Sequence, residues 1–271
     1  MSLPFSNGIQ YIGMNVTKPP FDNPKVRQAV AYAMPYQKIM DAVLFGLANP
    51  MFGAAAEQDD RGRRGRSRPN IPPTSPRPRR CLPRPAIANG FETTISFDLN
   101  FAGVNEPLCV LVQESLGQIG IKTTINKVPG ANWRTELNKK EMPLYTNVFS
   151  GWLDYPEYFF YWCYHGNNSV FNTMSYKSPE MDKLIDGARN AASTGDKATY
   201  DTDVKGFVDL AFADIPRIPL YQPFVNVAMQ KNISGYQYWF HRRLDYRALR
   251  EGVSRHADHD RQAADVRDPE R

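Results

Sequence analysis

Cysteine is scarce in this 271-residue chain, which carries three, at positions 81, 109 and 163. An odd count without CxxC spacing argues against a full disulfide framework and offers no thiolate metal knuckle. Cys109 and Cys163 sit in apolar helical patterns and are expected to be buried thiols. Histidine is sparse too, with four residues and no paired-His motif. Gly-x-Ser-x-Gly and the phosphate-binding Gly-rich loop are absent too, which removes the common hydrolase and nucleotide readings. Cys163 and His165 lie two apart in an aromatic run, a spacing that makes no nucleophile and base pair without help from elsewhere. No cofactor is expected. Nowhere do eighteen apolar residues run together, so no membrane-crossing helix is expected. The opening MSLPFSNGIQYIG lacks a basic start, an apolar stretch and a small-residue cleavage site, so no secretion signal is expected there.

Lysine is missing where arginine is densest. Glu57 to Pro85 holds nine Arg, seven Pro and no Lys, while all twelve Lys lie elsewhere. Repeated Pro blocks helix and ladder hydrogen bonds and like charges repel, so residues 54–88 are expected to be disordered or loosely extended. The tail, residues 250–271, has the same bias, with five Arg, two His, six acids and no Lys. Outside Glu57–Pro85 and the tail, nineteen basic residues balance nineteen acidic ones, so the net +5 belongs to the two unusual segments. Three readings of the Arg/Pro run stand side by side. It is a solvated loop, or a nucleic-acid or anionic-surface tether through its guanidinium groups, or a stretch translated out of its ancestral frame. The tether lacks the interleaved aromatics that stack bases, and no nucleic-acid partner is expected. The tail's His256, Asp258, His259 and Asp260 have ligand-type side chains but no second cluster to fix a metal, so no metal site is expected.

What is abundant is aromatic surface around two acids. Trp152, Tyr155, Tyr158, Phe159, Phe160, Tyr161, Trp162 and Tyr164 crowd about Asp154 and Glu157. Carboxylate beside flat rings suits a ligand with an ammonium group and an apolar body. Leu144 to Phe149 reads as a buried strand leading into this segment, which places Asp154 just past a strand's carboxyl end. Open α/β sheets bind ligands at such ends.

Elsewhere strands and helices alternate. Thr93 to Leu99 and Ile121 to Val128 read as strands. Between them, Glu106 to Ile119 reads as a helix with Leu108, Leu111, Val112, Leu116 and Ile119 on one face, and Ala131 to Lys140 as a short helix. Pro24 fits a first helical turn, followed by Val26, Ala29, Val30 and Ala33 at helical spacing. This order predicts an α/β lobe with a mixed sheet flanked by helices.

Three blocks carry a resemblance. Asn15, Pro19-Pro20-Phe21-Asp22 and Val26-Arg27-Gln28-Ala29 form the first. Gly151-Trp152 with the acid after it, then Asn172, Tyr176, Ser178, Pro179, Asp182 and Leu184, form the second. Glu180 to Tyr246, ending in the aromatic Tyr236 to Phe240, forms the third. Together they resemble the solute-binding proteins of peptide-type ABC importers, family 5. That resemblance implies a periplasmic-binding-protein-like fold, of which this chain would be the carboxy-terminal lobe of two. Residues 1–53 would form its entry strand and first helices, and 89–249 its remainder and return segment. It also implies a monomeric periplasmic binder, not an enzyme, that passes peptides or other small solutes to an inner-membrane permease; a non-functional, frame-shifted product is the alternative. Asp154 would hold the ligand ammonium, with Glu157 the competing acid. Trp152, Tyr155, Tyr158 and Trp133 would line the site, and Arg134 is the nearest cation for a carboxylate. Tyr176, Asp182 and Leu184 would form the fold.

Overall fold

Alternating side chains on β1 (Gly8–Met14) put Tyr11 on one face of a sheet and Ile12 and Met14 on the other, and the architecture follows from burying both faces. The computed structural model describes residues 6–51, 90–225, 227–237, 247 and 249–251. The Arg/Pro run and most of the tail, with the disorder expected of both, lie outside these. Two compact units are distinguished, residues 5–224 and a smaller one comprising 1–4 and 225–271.

The larger unit holds a six-stranded mixed sheet. After β1 come α1 (Pro24–Tyr32), α2 (Tyr36–Ala42) and β2 (Ala48–Pro50). Then follow β3 (Phe91–Asp98), α3 (Ala102–Gly117), β4 (Ile121–Val128), α4 (Gly130–Lys139) and β5 (Leu144–Ser150). The unit closes with α5 (Pro156–Tyr164), α6 (Pro179–Thr194), α7 (Lys197–Asp214) and β6 (Arg217–Pro223). The strand order is β2-β6-β1-β5-β3-β4. Strands β3, β4 and β5 run parallel, while β1 is antiparallel to β5 and β6, and β2 is antiparallel to β6.

Local chemistry sets the helix starts. Asn23 accepts from the Lys25 N–H with Pro24 in the first turn, as its position in the sequence predicts. Ser178 caps α6 by accepting from the Met181 N–H, again with a proline following. Asp196 caps α7 through the Thr199 N–H. The expected helix from Glu106 starts earlier, at Ala102, because Asp98 ends β3 by accepting from the Asn100 N–H and a 3₁₀ turn, Leu99–Phe101, feeds straight into α3. Pro107 is accommodated inside that helix.

Each sheet face has its own core. Ile12, Met14, Ile95 and Phe97 pack with α1, α2 and α3 through Val30, Ile39, Leu108 and Val112. Tyr11, Tyr145 and Phe149 pack on the other face with α4 to α7 through Leu137, Tyr164, Met181, Ile185 and Phe207. A side chain at Gly13 would collide with the Tyr145 ring paired opposite it, so this position must stay bare. In the smaller unit β7 (Ile233–Ser234) pairs antiparallel with β8 (Arg250–Glu251). The disordered tail expected from position 250 therefore begins instead with two strand residues.

Because β3, β4 and β5 are parallel, their carboxyl ends share one sheet edge. The first turns of α4 and α5 start there, on the same face.

Candidate functional site

At that edge β5 ends in Ser150 and the chain turns sharply at Gly151. The Asn7 side-chain amide donates to the Gly151 carbonyl at 2.6 Å, fastening the turn to the segment that enters β1. A side chain on Gly151 would come within 2.8 Å of the Leu153 carbonyl and 2.9 Å of the Tyr158 ring. Such crowding leaves room only for glycine. The Trp152 N–H donates to the Tyr158 hydroxyl at 3.3 Å while its indole is 79% exposed. Tyr155 is 56% exposed, and Asp154 stands exposed between the two.

The cap of α5 is Tyr155, with Pro156 in the first turn and no side-chain cap bond. Asp154 therefore does not cap the helix, although its position before Pro156 fits a cap; it lies one residue outside. Glu157, the second acid, is half-buried and accepts from the Tyr200 hydroxyl of α7 at 2.7 Å. Burial, then the Glu157 carboxylate, holds the Tyr200 phenol above its usual range, keeping that bond's proton on Tyr200. Glu157 is thus tied to the scaffold.

The rings of α5 form a continuous array. Tyr158 packs edge-on to Trp162 with centroids 6.2 Å apart, Trp162 meets Phe171 at 5.6 Å, and Phe149 lies 5.4 Å from Phe171. Across the array from Trp152, the Arg134 guanidinium lies 4.7 Å over the Phe171 ring. Arg134 is exposed and makes no ion pair with any described residue. Trp133, expected on the site wall, is 7% exposed, and its indole N–H donates to Asn147 at 3.4 Å. Its ring belongs to the core because the inward face of α4 carries Trp133 and Leu137.

The Cys163–His165 pair shows no catalytic geometry. Cys163 is buried, and burial pushes its thiol above the usual range, against the thiolate a nucleophile needs. His165 Nδ1 accepts from the Asn167 N–H at 3.2 Å, and its other nitrogen lies 3.4 Å from Asp186. Its role is to hold the turn after α5. Asn172 reinforces that turn, donating to the Tyr176 carbonyl at 2.6 Å and accepting from the Tyr176 N–H at 3.0 Å. Tyr176 in turn donates to Asp214, and Asp182 accepts from the Gly166 N–H, so both serve the fold. Among the described residues no group of three or more His, Cys, Asp or Glu side chains could hold a metal.

Four residues escape a linear reading: Asn7, Phe171, Tyr200 and Arg217. Arg217, 6% exposed, lays its guanidinium 3.7 Å over the Tyr11 ring and donates to the Phe171 carbonyl at 3.2 Å. Each acts on a partner at least 37 positions away, which no local spacing records. Two hollows of about 200 and 610 Å³ lie along β4, one between its carboxyl end and α4 and one at the turn before it, and Asp154 lines neither.

Residues 4–171 match the family described as bacterial extracellular solute-binding proteins, family 5 Middle. The chain belongs to this family. It is 29% identical over 236 residues to the glutathione-binding protein GsiB of Pectobacterium atrosepticum, an alignment covering 84% of this chain and 44% of GsiB. The chain thus spans less than half the length of the curated relatives it matches. Among solved structures, HbpA2 of Haemophilus parasuis superposes with a TM-score of 0.71 at 20% identity, over 93% of this chain and 50% of HbpA2. The periplasmic binding protein DppA of Helicobacter pylori, in complex with the peptide STSA, gives 0.69 at 20% identity, over 87% of this chain and 46% of DppA. These likenesses establish the periplasmic-binding-protein fold expected for the lobe. Family 5 consists of binding proteins, so the non-enzymatic reading holds.

Proposed function

We propose that this chain is the ligand-bearing lobe of a periplasmic solute-binding protein, which captures short peptides or related solutes for an ABC permease in the inner membrane. The observation that carries this reading is the placement of Asp154, exposed just past the carboxyl end of β5 between the uncovered rings of Trp152 and Tyr155. An α-ammonium group on Asp154 would gain a charge-assisted hydrogen bond, and the adjoining rings add cation–π attraction and apolar contact. Closure of a second lobe over the site would remove water and strengthen that pairing. Relatives support the substrate class: GsiB is a glutathione-binding protein, and DppA was solved with a peptide.

Titration calorimetry of the 271-residue chain with glutathione and with di- to pentapeptides tests the reading. Saturable binding, abolished in Asp154→Ala without change in thermal unfolding, is the expected result. Equal binding by that variant would refute the site. No heat with any of these ligands at millimolar concentration would refute the substrate class.

A further inference from the structure

We infer that the outer edge of β4 pairs with the β4 edge of a second copy of this chain, antiparallel and in a two-fold register centred on Thr123. The inference is independent of the ligand site and departs from the monomer that the family resemblance implies.

Three observations converge on this edge. First, β4 ends the sheet, with β3 its one neighbour among the described residues. The Gly120 carbonyl accepts from the Phe91 N–H at 3.2 Å where the β3–β4 ladder begins, so even-numbered positions of β4 turn their backbone groups toward β3. Odd-numbered positions then face away, by the two-residue alternation of a strand. The Thr123 carbonyl agrees, since it accepts from the Gln113 side-chain amide of α3. Ile121, Thr123 and Ile125 thus present a row of backbone donors and acceptors of the kind that takes up a further strand. Second, a hollow of about 610 Å³ runs beside that row, bounded by Gln113 and Gly117 of α3 and by residues 120–125. A side chain at Gly117 would meet nothing within 4 Å, so α3 leaves space beside the edge. Third, Thr123 is 5% exposed, and its hydroxyl is buried without a hydrogen-bond partner among the described residues. An unpaired buried hydroxyl is destabilising, and a partner for it is what this edge lacks.

The register selects the occupant. In an antiparallel pair centred on Thr123, that residue meets its own counterpart, and Ile121 meets the partner's Ile125. The two hydroxyls then bond each other, one donating and one accepting, while the isoleucines enter the hollow from both sides. Lys122 falls opposite Thr124, so no like charges meet, and its ammonium is already paired with Glu92 at 2.8 Å. A centre at Lys122 would set two lysines face to face. A centre at Thr124 would set Thr123 against Ile125 and leave the hydroxyl unpaired again. In the single chain Gln113 covers the Thr123 carbonyl, and a second strand takes its place there, so Gln113 sets how readily the edge pairs.

Sedimentation equilibrium of the 271-residue chain, from micromolar to millimolar concentration, reads the association. A monomer–dimer equilibrium is expected, of the weak class that a small interface supports. Thr123→Pro removes an outward N–H that β3 does not use, and should abolish the dimer with thermal unfolding of the monomer kept. Thr123→Val should raise the monomer's unfolding temperature by removing the unpaired hydroxyl, yet weaken dimerisation about fivefold, the loss of one net hydrogen bond. Gln113→Ala should tighten dimerisation. A peptide of residues 119–127 should compete with the dimer, and a scrambled peptide of the same composition should not. A chain that stays monomeric throughout, both unmodified and as Gln113→Ala, overturns the inference. A dimer that survives Thr123→Pro places the contact elsewhere and overturns it as well. Tighter association in Thr123→Val overturns the register, and equal competition by the scrambled peptide overturns the second copy as occupant.

Discussion

The Tyr200 hydroxyl on α7 donates to the Glu157 carboxylate on α5 at 2.7 Å, and this bond separates two acids that stand only three positions apart in sequence. Glu157 thereby joins α5 to α7, and Asp154 remains at the edge. Asp154→Asn should therefore weaken binding of a free-amino peptide about tenfold and abolish the preference over its N-acetyl form. Glu157→Gln should leave affinity within about twofold while lowering stability by about 1 kcal/mol, the scale of one net hydrogen bond. Calorimetry and chemical denaturation on the two variants distinguish the roles, and the reverse pattern would exchange them.

Gly151 sets the direction in which the chain leaves β5. Its neighbours, the Leu153 carbonyl and the Tyr158 and Phe159 rings, stand where a methyl group would go. Two of these belong to the ring array and one to the backbone that carries Asp154, so relief of the clash must move the site itself. Gly151→Ala should cost about 1–3 kcal/mol of overpacking strain and reduce peptide affinity as well. An alanine variant with unaltered denaturation midpoint and affinity would show that the turn is slack.

How far this was legible in the sequence differs from element to element. Strand β4 is found over Ile121 to Val128, as expected, because its apolar and polar alternation is bounded by a Gly-containing turn before it and Pro129 after it. The start of α3 lies earlier than expected because Thr93 to Leu99 reads as continuous strand, whereas Asp98 ends the strand and its bond to the Asn100 N–H leads directly into helix. The exposed position of Asp154 just past a strand end follows from the Gly151-Trp152 turn and the strand before it. The inward turn of Trp133 was not, since a tryptophan beside an arginine on a short helix reads equally well as wall or core. The engagement of Glu157 depends on Tyr200, 43 positions on, and is visible only once α5 and α7 are packed.

Cys109 and Cys163 are both buried free thiols, the state expected from their apolar helical settings. Burial, followed by the nearby Glu106 carboxylate, pushes Cys109 up to about 12 from a usual value near 9.0. In folded protein neither thiol should react quickly with a disulfide reagent at mildly alkaline pH. A Cys81→Ser variant should accordingly show no fast-reacting thiol until denaturant is added. The same shift carries a pH dependence. The unfolded thiol ionises as pH passes about 9 and the folded one does not, so the Cys109 contribution is complete below that value. It is then lost on the order of 1 kcal/mol per pH unit up to about 12. Cys109→Ala should flatten that part of the stability profile. A profile with the same slope would assign it to other groups.

Arg217 presents the opposite case, a cation sealed inside. Its guanidinium lies on the Tyr11 ring and reaches the Phe171 carbonyl, yet its Nε has no partner and no carboxylate neutralises it among the described residues. Two contributions can be separated by substitution. Arg217→Ala removes both the charge and the volume, leaving a cavity beside Tyr11, Tyr164 and Met174, and should cost about 2–5 kcal/mol. Arg217→Met restores most of the volume without stranding an opposite charge, since none is paired there. It should cost under about 1.5 kcal/mol, the range of a volume-conserving change. Denaturant midpoints of the two variants decide between packing and bonding. If methionine proves as damaging as alanine, the bond to Phe171 rather than the filled space holds β6 to the loop that supports Arg134.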